Sequence, residues 1–142
     1  MPMQETDLRP PAMYVGIDDS ERDGVIGRLT SALNVGMIAL SIAHLNQLLQ
    51  TEEFAADFSR LDMVVVDDAL VDGNGDDVVR SLRRSNIRPY MVGLLNSSAS
   101  VRRKGFHCFD ALWYRRELDE FIENVRMRTE SHRRASGARK PA

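Results

Sequence analysis

A chain of 142 residues, 43% apolar and 28% charged, has the composition of an ordinary soluble protein able to bury one core. Its net charge of −2 argues against a chain-wide electrostatic contact with nucleic acid, and no run has the length or order of a membrane span or signal peptide, so the cytoplasm is the expected compartment. The single cysteine, Cys108, excludes an intrachain disulfide and a cysteine-based zinc site, and is read as a small buried hydrophobe.

In chain order, residues 1–12 are polar with three prolines and are expected to form a flexible tail. Residues 13–17 form a short apolar run closed by Asp18-Asp19, as in a buried strand. Residues 22–33 carry Val25, Ile26, Leu29 and Leu33 at helical spacing. A second strand is expected over 37–42 and a helix over 45–58. Residues 63–66 are four consecutive apolar residues, three of them β-branched, followed by Asp67-Asp68: a central strand. After a Gly/Asn/Asp loop, 76–84 is helical with Val78, Val79 and Leu82 on one face. Residues 90–95 form the fourth strand, and 98–104 a short helix with Ser98 as its cap and Gly105 ending it. Residues 109–113 form the fifth strand, and 117–128 a final helix striped by Leu118, Phe121, Ile122 and Val125. The domain is therefore set at 13–128. Residues 129–142 are expected to be a basic, solvated, partly helical tail, with a contact to nucleic acid or an acidic partner as the weaker reading.

Five strands alternating with helices imply an α/β fold, a three-layer sandwich whose parallel sheet is covered on both faces. Ligands of such sheets bind beyond the carboxyl ends of the strands. Two strands there end in paired carboxylates, which repel unless a cation lies between them; a hard divalent ion such as Mg²⁺ resolves the repulsion. A single Asp at a strand end is better read as a helix cap or turn former. Two pairs, after the first and third strands, favour a functional crevice. The run Asp72-Gly73-Asn74-Gly75-Asp76-Asp77 imitates the opening of a calcium loop, but Asp77 stands where the loop needs Gly, and Arg83 where it needs the bidentate Glu.

The pattern of Asp18-Asp19, then Asp67 with Asn74-Gly75 seven and eight residues on, resembles the receiver domain of two-component response regulators. The resemblance runs from about Tyr14 to Arg128. It implies a flavodoxin-like, CheY-like sheet in the order 2-1-3-4-5, and a role in signalling rather than catalysis. It also implies that Asp67 accepts a phosphoryl group from a sensor histidine kinase or phosphotransfer protein. Asp19 would ligate Mg²⁺ directly, Asp18 through a bound water, and Ala69 through its backbone carbonyl, beside Asp67 itself. Magnesium would then bridge the attacking carboxylate and the incoming phosphoryl oxygens.

Several matched positions depart from the family. Leu94 stands where it has a Thr or Ser hydroxyl, Ala111 where it has a mobile aromatic ring, and Tyr114-Arg115 where it has Lys-Pro. Without proline, the Tyr114–Arg115 bond is expected to be trans. Ser97 and Ser98 would need a register shift to replace the missing hydroxyl. Arg115, Arg116 and, farther off, Arg102 and Arg103 could supply the missing charge, although the ordinary fate of an exposed arginine is solvation.

The first reading is thus a stand-alone, atypical receiver whose output is a protein contact. Its expected interface comprises Val101, Arg102, Arg103, Trp113 and Arg116, on a face that in the family also supports homodimers. A phosphorylation-independent pseudo-receiver adaptor is the second reading. A small phosphotransferase or hydrolase is third, weakened by the lack of a phosphate loop, a nucleophile elbow or a histidine at the strand ends.

Overall fold

The computed structural model of the protein describes residues 9–17 and 24–138, with side chains up to residue 131. Asp18 and Asp19, the expected metal ligands of the first strand end, lie outside the described residues.

Five strands form one sheet: β1 (Pro11–Val15), β2 (Asn34–Ala39), β3 (Met63–Asp67), β4 (Tyr90–Leu95) and β5 (Ala111–Tyr114). The order is β2-β1-β3-β4-β5 and every pairing is parallel, as the alternation of strands and helices requires. The pleat splits the core in two. Met13, Val15, Val64, Val66, Met91 and Leu95 face one side, where α2 (Ile42–Gln50), α3 (Ala55–Ser59), α4 (Gly75–Arg84) and α5 (Ser100–Arg103) supply Leu45, Phe58, Val78, Leu82 and the half-buried Val101. Tyr14, Met63, Val65, Val92 and Leu94 face the other side, under Val25, Ile26 and Leu29 of α1 (Val25–Leu29) and Leu118, Phe121, Ile122 and Val125 of α6 (Leu118–Ala138). β3 is buried along its whole length, because it is central and covered on both faces.

Several boundaries differ from expectation, each for a local reason. β1 starts at Pro11, where Pro11 pairs with Asn34 and its carbonyl accepts the Asp62 N–H at 3.0 Å. The second strand ends at Ala39, three residues early, because Ser41 caps α2 by accepting the His44 N–H. The expected helix over 45–58 is broken at Thr51, whose backbone is extended and whose hydroxyl takes the Gln47 carbonyl at 2.9 Å. A 3₁₀ turn and α3 then complete the segment. Ser98 does not cap α5; the helix starts at Ser100 with Ala99 before it. Gly105 does end it, at φ +70°. The last helix runs on from Arg128 to Ala138. Cys108 is exposed rather than buried.

Candidate functional site

Asp67 ends β3 and shares the pleat face of Met63 and Val65, so its side chain points toward the α1/α6 layer. It is fully buried. Its Oδ1 accepts the Ala69 N–H at 2.8 Å, and its Oδ2 accepts the Tyr14 hydroxyl at 3.1 Å and pairs with the guanidinium of Arg115. Ala69, expected to offer its carbonyl to a metal, meets Asp67 through its N–H.

Each partner is placed by its neighbours. Tyr14 lies beside Val65 in the β1–β3 ladder, and its ring runs up to the strand end. Gly16 makes this possible: a Cβ there would come within 2.7 Å of Asp67 Cβ and 2.8 Å of Tyr14 Oη. Arg115 follows β5, where the Tyr114 N–H donates to Glu117 Oε1 at 2.9 Å and the chain enters a 3₁₀ turn. Since β4 separates β3 from β5, Arg115 reaches Asp67 past the end of β4. Leu94, in register with both Asp67 and Trp113, contributes a fully buried apolar side chain there. The Tyr114–Arg115 bond is trans.

Asp68 is equally buried but points the other way, toward α5. Its Oδ2 accepts the Ser100 hydroxyl at 2.6 Å and the Asn96 N–H at 2.7 Å, and its Oδ1 accepts the Asn96 side-chain amide. Its carbonyl accepts Lys104 Nζ at 3.0 Å. Sequence reading assigned Asp68 no separate role; the structure makes it the anchor of the β4–α5 loop.

The acidic loop after β3 disperses its carboxylates. Asp72 accepts the Ile42 and Ala43 N–H groups at 2.8 and 2.9 Å, capping α2 from outside, where the helix dipole favours a negative charge. Asp77 accepts the Asn74 N–H at 2.8 Å in a capping box and pairs with Arg80. That backbone bond first, and Arg80 after it, hold the Asp77 carboxyl below its ordinary value of 3.8. Among the described residues, no group of three or more His, Cys, Asp or Glu side chains is placed to hold a metal.

The matched switch positions divide. Leu94 lies beside Asp67, and Ala111 is half-buried on the same side of the sheet. Tyr114 packs on the opposite layer, with Arg116 over its ring at 4.4 Å. The cation that reaches Asp67 is therefore one residue beyond the position matched to the family's Lys. The expectation that Arg115 would be solvated is corrected by its pairing with Asp67. Strand parity carried the signal: Asp67, Leu94 and Trp113 share a face, and two residues past Trp113 is Arg115. The expected interface is also split. Val101 packs against the same core layer as Tyr114, and Arg102, Arg103 and Arg116 are exposed, whereas Trp113 packs on Phe121 of α6 with ring centres 5.6 Å apart.

These carboxylates also bear on the implied magnesium. Oδ2 of Asp67 carries the Tyr14 hydroxyl and a guanidinium, and Oδ1 carries one N–H, so the carboxylate offers a cation little beyond the second position of Oδ1. Asp18 and Asp19, which would complete the implied ligand set, lie outside the described residues.

No family model matches the chain, and no curated protein does. Among solved structures, the signal receiver domain of a NarL response regulator from Mycobacterium tuberculosis is similar, with a TM-score of 0.58 and 18% identity. The match covers 86% of this chain and 98% of that one. The fold is thus the flavodoxin-like arrangement expected from the sequence. Among the described residues, no helix is long and apolar enough to cross a membrane.

Proposed function

We propose that the chain is a receiver-type signalling module that acts through protein contacts, with its Asp67 pocket closed to phosphoryl transfer. One observation carries the reading: the Asp67 carboxylate is buried and taken up by Arg115, Tyr14 and Ala69. A phosphoacceptor must present a carboxylate oxygen to the incoming phosphorus, and here one oxygen is held by a guanidinium and a hydroxyl while the other accepts the Ala69 N–H in a fully buried position. The observation moves the preference from a phosphorylated receiver to the pseudo-receiver adaptor. A kinase or phosphotransfer partner gives way to a downstream protein, met by the exposed arginines of α5 and the end of β5. The hydrolase reading gains nothing, since His44 spends its Nδ1 on the Leu40 N–H at 3.0 Å, at the start of α2.

Beryllium fluoride with Mg²⁺, a phosphoryl mimic, tests this on ¹⁵N-labelled protein. The amide signals of Ala69, Asn96 and Arg115 are expected to stay in place. Movement of these signals that disappears in Asp67→Asn returns the protein to the phosphorylated class.

A further inference from the structure

We infer that Arg115 takes the place of the divalent cation at the strand ends, so that Asp67 is neutralised from within and the closed site binds no metal. This deepens the function proposed above and rests on the same pocket, but it can fail separately.

A carboxylate removed from water stays ionised only beside a positive charge and with its lone pairs satisfied. Asp67 is 0% exposed, and the chain meets both requirements itself. The guanidinium of Arg115 supplies the charge; the Tyr14 hydroxyl and the Ala69 N–H fill further acceptor positions. Magnesium would need an oxygen at about 2.0–2.1 Å in near-octahedral geometry; Oδ2 is held by the guanidinium, and at Oδ1, which carries only the Ala69 N–H, the ion would sit on the same carboxylate as that positive charge and be repelled by it.

Two further features shape the pocket around the pair. Gly16 leaves the space in which Tyr14 Oη meets Asp67, and any side chain there would collide with both. Leu94, fully buried beside Asp67, offers no side-chain oxygen to a metal or its waters. The Arg115 side chain is itself 30% exposed, so it can swing into water without leaving a buried charge of its own. Exclusion of metal therefore depends on Arg115 staying paired, and its removal should leave a carboxylate in need of a cation.

The test titrates Mn²⁺ and Mg²⁺ into the full chain and its variants, reading paramagnetic broadening of the Ala69 and Asn96 amides and the thermal midpoint. In the wild type, the signals and the midpoint should be unchanged at millimolar cation. Arg115→Lys, which keeps a cation, should be equally silent. Arg115→Gln should show selective broadening with Mn²⁺ and a midpoint that rises with Mg²⁺, both lost in Arg115→Gln/Asp67→Asn. Selective broadening in the wild type that Asp67→Asn abolishes overturns the inference. So does an Arg115→Gln protein that folds and ignores both ions. Should Arg115→Gln not fold, the wild-type titration decides alone. A wild type that binds Mn²⁺ yet ignores beryllium fluoride defeats this inference and leaves the proposed function standing. A response to beryllium fluoride defeats the proposed function.

Discussion

Asp67 and Asp68 are adjacent, equally buried and chemically identical, yet they hold the molecule in different ways. Asp67 faces the α1/α6 layer and meets a long, partly exposed arginine from the end of β5. Asp68 faces α5 and meets short donors: a backbone N–H and an amide from the β4–α5 loop, and the buried hydroxyl of Ser100 at the start of α5. A flexible arginine can turn to water when its partner is lost. The Asn96 N–H and the Ser100 hydroxyl cannot move without the loop. Burial alone thus does not set the importance of a carboxylate; the freedom of its donors does.

The sharpest test of that contrast is Asp68→Ala, which should cost about 3 kcal/mol in urea unfolding, because it strands donors bound to a charged acceptor. A loss no larger than that of Asp67→Ala would break the comparison. Gly16→Ala should cost about 2 kcal/mol, since its methyl group collides with Asp67 and the Tyr14 hydroxyl. Combined with Tyr14→Phe, which removes one of those contacts, the loss should be smaller than the sum of the two single losses. Asp67→Ala should cost about 2 kcal/mol, as Arg115 moves into solvent while the buried Tyr14 hydroxyl and the Ala69 N–H each lose one bond.

The smallest effect belongs to Asp77, a half-buried capping carboxylate far from this contrast. Its folded pKa lies below the unfolded value of 3.8, so its contribution is complete above that value and is lost as pH falls through the lower, folded one. Between about pH 5 and pH 3, the urea midpoint of Asp77→Asn should therefore fall less than that of the wild type. Equal falls would remove Asp77 from the acid dependence.

Much of the fold was legible because hydrophobic period and strand-end punctuation are local. Met63–Asp67 is visibly a central strand, and Leu118, Phe121, Ile122 and Val125 visibly a helix stripe. Boundaries were less legible where one side chain decides them. Ser41 and Asp72 start α2, and the Asp72 carboxylate arrives from thirty residues away. Thr51 breaks the following helix by taking a carbonyl that periodicity does not reveal. At the site, Asp67 and Leu94, both singled out in the sequence, lie side by side in register. Tyr114, the position matched to the missing lysine, packs on the other layer, whereas Arg115, one of four arginines named as a source of the missing charge, is the one that reaches Asp67.

The sequence by itself determined the layered α/β architecture, the five strands and the position of Asp67 at a strand end. These follow from apolar spacing along a single stretch of chain. Only the tertiary structure decided what Asp67 and Asp68 do there. Their partners come from β1, β5 and the β4–α5 loop, segments brought together by strand order and register. A buried carboxylate takes its character from whichever donors the fold delivers to it.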